Sequence, residues 1–186
     1  MATKVLVVVD VQNDFVKGGA LAYGYPEKSN TEAIIAKVKE FLANGDIVIA
    51  TRDTHHGNYM ETLEGKNLPV PHCIHQTKGW ELVGELQKMA EAGEIAVVDK
   101  HSFGTSLVGQ FIREVGDKYG PVEEVDVVGY CTSICCANNC SLIRAYMPNQ
   151  KIVLLEDLCG DINKESHDAA LSVLKNQQIE IRKCNE

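Results

Sequence analysis

Three features of this 186-residue chain predict a three-layer α/β/α fold built on a six-stranded, mostly parallel sheet. Short runs rich in Val and Ile recur without polar alternation, as strands covered on both faces require. Longer stretches with apolar residues three and four apart lie between them. Breaker pairs separate the two kinds of segment, and the alternation of strand and helix implies crossover connections.

The first strand is residues 4–9, the run Val5-Leu6-Val7-Val8-Val9. Residues 30–43 read as a helix, with Ile34, Ile35, Val38 and Phe41-Leu42 on one face and Asn44-Gly45 at its end. The second strand is 46–51. A helix over 79–92 ends at Ala92-Gly93, and the third strand is 95–99. The helix 105–119 stops at Gly120-Pro121, before the fourth strand, 122–129. Next comes a helix over 132–146, opened by Thr132 as its cap and closed by Pro148-Asn149. Strand 151–156, helix 164–176 and a short strand 179–182 complete the pattern, read as one domain over 1–186.

Composition narrows the function. A formal charge of -8 argues against binding a nucleic-acid backbone, which needs a basic surface. The apolar run at residues 5–9 is too short for a signal peptide or a membrane span, so a soluble, cytoplasmic protein without a membrane partner is expected. Seven cysteines stand at 73, 131, 135, 136, 140, 159 and 184. Their odd number and the missing signal argue against a disulfide framework. Adjacent Cys135 and Cys136 point apart on a helix, which speaks against a metal cluster, and most of these thiols are expected to fill the core.

In parallel sheets, ligands bind outside the carboxyl ends of the strands. The first strand ends at Asp10, followed by Gln12, Asn13, Asp14 and Phe15; the second at Arg52-Asp53, followed by His55; the third at Asp99-Lys100-His101. The fourth leads through Gly129-Tyr130-Cys131-Thr132-Ser133-Ile134 to Cys135, at a helix start. Free N–H groups and the positive helix end there favour a thiolate and can hold an oxyanion. Each residue has a plainer use: Asp10 as a turn cap, Lys100 as a solvated strand-end lysine, Cys135 as packing. Their shared rim favours chemistry. The long connection 52–78 holds four of the six histidines, and loops of that length are usually functional. Asp53-Thr54-His55 with His72 or His75 suits a divalent metal with open positions, although unliganded loop histidines fit the spacing equally.

Together these motifs resemble the isochorismatase-like cysteine hydrolases, most closely the metal-containing nicotinamidase branch. The resemblance rests on Asp10-Val11-Gln12-Asn13-Asp14-Phe15, Thr51-Arg52-Asp53-Thr54-His55, Pro71-His72-Cys73, Lys100 with Ser102-Phe103 and Thr105, and Gly129 to Cys135. It implies a Rossmann-like fold and a catalytic triad of Asp10, Lys100 and Cys135. It also implies an oxyanion hole from the backbone N–H groups of Cys131 and Cys135, with a cis peptide joining Tyr130 and Cys131. Asp53, His55 and His72 would hold one divalent metal, zinc first and iron or manganese as alternatives, with Glu61 or Glu64 as a further ligand. His56 and His75 would be bystanders. Phe15, and with less support Phe103, would line the ring pocket. Leu68 stands near where the family often has tryptophan.

The activity so implied is hydrolysis of a small-molecule amide, nicotinamide, to nicotinate and ammonia through a thioester on Cys135. The alternatives are hydrolysis of another small amide, ureido or carbamoyl compound, and a thiol-based redox or metal sensor. A sensor leaves Asp10 and Lys100 unexplained. Family members are often homo-oligomers, and no helix here carries an unmistakable exposed apolar face.

Overall fold

A computed structural model describes residues 3–26 and 28–184. Its strands are β1 (Thr3–Val9), β2 (Ile47–Asp53), β3 (Ala96–Lys100), β4 (Val122–Tyr130), β5 (Ile152–Gly160) and β6 (Glu180–Arg182). They form one sheet in the order β3-β2-β1-β4-β5-β6, with every neighbouring pair parallel. The helices are α1 (Thr31–Ala43), α2 (Leu63–Asn67), α3 (Glu85–Glu91), α4 (Ser106–Tyr119), α5 (Ala137–Tyr146) and α6 (Lys164–Asn176).

The apolar strand runs are explained by burial on both faces. Along β1, Val5, Val7 and Val9 pack with Val108 and Ile112 of α4, Ile143 of α5 and Leu171 of α6. Leu6 and Val8 point the other way, to Ile34 and Val38 of α1 and Leu86 of α3. The strand order reverses direction between β1 and β4, and a crevice opens at such a switch point, at the carboxyl ends of the strands. Close approach there demands glycine. Gly129 has φ +122°, and a Cβ on it would meet the Val9 carbonyl oxygen at 2.1 Å.

Three expectations need correction. The helix expected over 79–92 forms only at Glu85–Glu91. Residues 79–83 instead run as a strap along residues 11–14: Asn13 N–H donates to the Glu81 carbonyl, Asp14 N–H to Gly79, and Val83 N–H to Val11. Their backbone groups are committed there, and helix begins only after Gly84 turns at φ +52°. The fifth strand runs on to Gly160, because Cys159 and Gly160 resume pairing with Gly129 and Tyr130 beyond a register shift. The helix expected from Thr132 begins instead as a π turn, Thr132–Cys136, whose Cys136 N–H reaches back to the Cys131 carbonyl. Cys131 holds the cap position, and the Thr132 hydroxyl is turned inward to the Gly160 carbonyl and His167 Nδ1. No described helix is long and apolar enough to cross a membrane.

At the amino end of the sheet, β4 places Glu124 and Asp126 on one face. Burial alone would raise Glu124, yet Arg182, Lys151 and Lys4 surround it and hold it at about 2. Asp126 has a buried, unpartnered oxygen; burial, reinforced by Glu124, pushes it up to about 6. Between the ordinary value of 3.8 and about 6 the folded chain retains a proton that the unfolded chain has released. That contribution is therefore lost as pH rises through this window. Asp126→Asn is expected to match the parent near pH 4 and to exceed it in stability at pH 8 by about 1–2 kcal/mol. Urea denaturation at the two pH values checks this, and equal destabilisation at both would contradict it.

Candidate active site

Asp10 follows β1 in a left-handed turn at φ +50°, which swings its carboxylate into the crevice. Its Oδ1 accepts the Thr51 hydroxyl at 2.6 Å, and its Oδ2 lies 2.7 Å from Lys100 Nζ. Lys100 ends β3 directly beside Asp53 of β2, and Nζ also donates to Asp53 Oδ1 at 3.2 Å and to the Ser102 carbonyl at 2.9 Å. Cys135, inside the π turn after β4, brings Sγ to 3.6 Å from the same Nζ. Asp10, Lys100 and Cys135 therefore meet, and all three are buried.

Charge in this group differs from expectation at one point. Burial, then the neighbouring Asp10 charge, pushes the Cys135 thiol well above its usual range, with Lys100 pulling the other way. Proximity to the helix start does not reverse this direction. Burial also raises Asp10 against the pull of Lys100, which makes its carboxylate a better proton acceptor. Burial disfavours the Lys100 ammonium, but the Asp10 and Asp53 carboxylates hold it above the ordinary lysine value.

Beside this group, Asp53, His55 and His72 converge, and Glu64 of α2 completes the set with every donor within 4.8 Å of the others. Asp53 Oδ2 lies 3.0 Å from His55 Nε2 and 3.4 Å from His72 Nε2, while Glu64 Oε1 is 3.6 Å from each. Bonds of 2.0–2.2 Å to one ion place tetrahedral donors roughly 3.3–3.6 Å apart and octahedral ones about 0.5 Å closer. The four residues thus fit a divalent ion. The ring of His72 is oriented for it: Nδ1 faces the Val70 carbonyl at 2.8 Å, leaving Nε2 as the acceptor. Burial opposes charge on Asp53, but His55, His72 and Lys100 hold it well below the carboxylate range.

Several groups hold this frame. The Gln12 side chain accepts from Asp53 N–H at 2.7 Å and donates to the Asp53 and Trp80 carbonyls. Asp14 accepts from Cys73 N–H, fixing the approach to His72. Asp161, just past β5, accepts from the N–H and hydroxyl of Ser133 and so pins the π turn. Sequence reasoning passed over Asp161, although it too stands at a strand's carboxyl end. Of the two acids near α2, Glu64 joins the cage and exposed Glu61 does not. His56 and His75 stay outside it, in a rim cluster with His101. The Tyr130–Cys131 peptide is cis. Arg52 pairs with Asp99 and stacks on Trp80, so it does not compete for Asp53. Cys136, Cys140 and Cys159 are buried in the core.

Both groups face one cavity of about 410 Å³, lined by Cys131, Cys135, Asp53, Glu64, His72 and Phe15 among others. Phe15 lies 5.6 Å from the His72 ring, and Phe103 stands at the mouth.

A parallel α/β sheet whose carboxyl edge gathers thiol, carboxylate and lysine around a cavity defines a hydrolase. Known proteins agree. The isochorismatase domain family matches residues 4–185. A Bacillus subtilis protein described as an uncharacterised isochorismatase family protein, PncA, is 31% identical, covering 93% of this chain and 94% of its own. The nicotinamidase/pyrazinamidase of Mycobacterium tuberculosis is 27% identical over 96% of this chain and 97% of its own. The crystal structure of the Pyrococcus horikoshii pyrazinamidase in complex with zinc superposes with a TM-score of 0.75 at 25% identity, covering 97% and 98% of the two chains. The chain belongs to the isochorismatase family.

The electrostatics predict opposite responses in two variants. Asp10→Asn removes the negative neighbour that disfavours a thiolate, so the pH profile for iodoacetamide labelling of Cys135 shifts to lower pH. Hydrolysis in the same variant falls about 10²–10⁴-fold for want of a base. Lys100→Met, with folding checked by circular dichroism, shifts the labelling profile to higher pH. Profiles that move together, or not at all, would remove Asp10 and Lys100 from control of the thiol.

Proposed function

We propose that this amidohydrolase converts nicotinamide to nicotinate and ammonia through a thioester on Cys135, with Asp10 and Lys100 completing a catalytic triad. One observation carries the reading: the four-donor cage and the thiol open on the same cavity and share Asp53 as a common wall. A plain thiol hydrolase needs no such cage, whereas a pyridinecarboxamide offers a ring nitrogen on one side and an amide carbon on the other.

In this mechanism Asp10 accepts the Cys135 proton as sulfur attacks the amide carbon. Lys100, kept charged by Asp10 and Asp53, stabilises the sulfur anion as it forms. The backbone N–H groups of Cys131 and Cys135 receive the oxyanion. Asp10 returns the proton to the departing nitrogen and ammonia leaves. Asp10 then takes a proton from water as the water attacks the thioester and passes it to sulfur as the carbon–sulfur bond breaks, releasing the acid and the free thiol. Phe15 packs against the ring. Asp53, His55, Glu64 and His72 would hold a divalent ion, which would supply a Lewis-acid position for the ring nitrogen. Zinc suits this mixed nitrogen and oxygen set, as do iron and manganese, and the zinc-bound Pyrococcus horikoshii relative supports zinc.

Protein purified without chelator is expected to hold one divalent ion per chain by elemental analysis. Chelation, or His72→Ala, should lower nicotinamide turnover about 100-fold, a loss typical of a misplaced substrate, and spare an unselective activated ester. Benzamide, without the ring nitrogen, should be a poor substrate. Ion-free protein with full nicotinamide turnover would refute the role of the cage. Ion-loaded protein that ignores nicotinamide would move the substrate to another small amide.

A further inference from the structure

His56, His75 and His101 take no part in the cage, yet the fold gathers them. Three extended segments run side by side past the carboxyl edge of the sheet. Thr54 N–H donates to the Lys100 carbonyl, His55 N–H to the Cys73 carbonyl and His75 N–H to the His55 carbonyl. His55 and Ile74 are paired in parallel. Side chains alternate along extended chain, so the turn of His55 into the cage sends His56 to the opposite side. There its neighbour in the register is His75, and His101, one residue past Lys100, joins them from the third segment.

The spacing suits a shared ion. The His56 ring centroid lies 5.6 Å from that of His75 and 5.6 Å from that of His101. Two imidazoles bound to one ion at about 2.0–2.1 Å set their centroids roughly 5 Å apart. His56 and His101 are exposed, and rotation about their own side-chain bonds closes the difference. The other rim features hold the donors ready. His101 Nδ1 faces the Thr54 carbonyl at 2.9 Å; a carbonyl only accepts, so Nδ1 carries the proton and Nε2 keeps the free lone pair. His75 rests edge-on against Trp80 at 4.8 Å, and Trp80 is itself fixed by donating Nε1–H to the Thr54 hydroxyl. Arg52, stacked on the same indole, is neutralised by two bonds to Asp99 and so does little to repel a cation.

We propose that His56, His75 and His101 form a second metal site, separate from the cage, for a divalent transition ion. Three imidazoles without a free carboxylate select copper(II), nickel(II) or zinc(II), with copper(II) the tightest, and reject magnesium and calcium, which require oxygen donors. Water completes the coordination. The donors here are more exposed and wider apart than those of the cage, so the ion exchanges readily and is lost in metal-free buffer, while the cage keeps its own. An ion at the rim ties together the segments that also carry Asp53, His72 and Lys100. None of this depends on the amide substrate.

Isothermal titration calorimetry with zinc, on cage-loaded protein freed of loose metal by gel filtration, tests the site. The parent is expected to take up one further zinc per chain. His56→Gln, at an exposed ring, should weaken that step about tenfold or more, the scale of losing a fixed metal contact. The triple variant His56→Gln/His75→Gln/His101→Gln should abolish it, and His72→Ala, which damages only the cage, should retain it. Copper(II) should bind more tightly than zinc, and magnesium should give no second step. Zinc should also raise the melting temperature of the parent but not of the triple variant. Failure of the cage reading would appear as loss of the tight ion with the rim step intact. Absence of a second step in the parent, its survival in His56→Gln at full strength, its loss in His72→Ala, or equal binding of magnesium would overturn the rim site.

Discussion

A lysine ammonium with no solvent exposure, clamped between two buried carboxylates, is the constraint on which this crevice depends. Charges taken out of water are tolerated only when paired and hydrogen-bonded, and here Asp10, Asp53 and the Ser102 carbonyl meet that requirement for Lys100. The three charged residues come from the ends of β1, β2 and β3, so satisfying one cation fixes the relative height of three strands. Cys135 arrives from β4 as a fourth neighbour. Removing one member would leave the others buried and uncompensated, a far larger penalty than loss of a surface ion pair.

Asp53 belongs to two neighbourhoods at once. One oxygen faces Lys100, and the other faces His55 and His72. The cage and the thiol group are therefore parts of a single electrostatic unit. Burial pushes the Cys135 thiol and the Asp10 carboxyl in the same direction, upward. The low dielectric of this buried group strengthens each electrostatic interaction made inside it.

How much of this was legible follows from the range of the forces involved. Strand positions were readable because burial on both faces leaves an unbroken apolar run, as at Val5-Leu6-Val7-Val8-Val9. Asp10, Lys100 and Cys135 were readable because strand ends in a parallel sheet converge, and Asp53-Thr54-His55 because two residues of extended chain return to one side. Residues 79–83 misled, since their helical spacing is overridden by backbone bonds to residues 11–14 that no local pattern announces. Thr132 misled in the same way: a capping residue type was drawn inward by Gly160 and His167, both from distant segments. The choice of Glu64 over Glu61 depends on the phase of the short helix α2, one turn that spacing does not resolve. The lowering of the Cys135 pKa expected from its helix start is opposed by burial, and burial depth is a tertiary property.

The strand order has a consequence for how the chain acquires its crevice. The four cage donors lie between residues 53 and 72, and with Asp10 and Lys100 they are all supplied by β1, β2, β3 and their connections. Cys135 comes with β4, which must slot beside β1 by pairing residues about 120 apart in sequence, such as Val9 with Gly129. Closing so long a loop is entropically costly and slow relative to local contacts. During synthesis the Cys135 sulfur can join Asp10, Lys100 and the cage donors only after the second half of the polypeptide has emerged. The reactive thiol is born already roofed, because the strand that delivers it is also the one that seals the centre of the sheet.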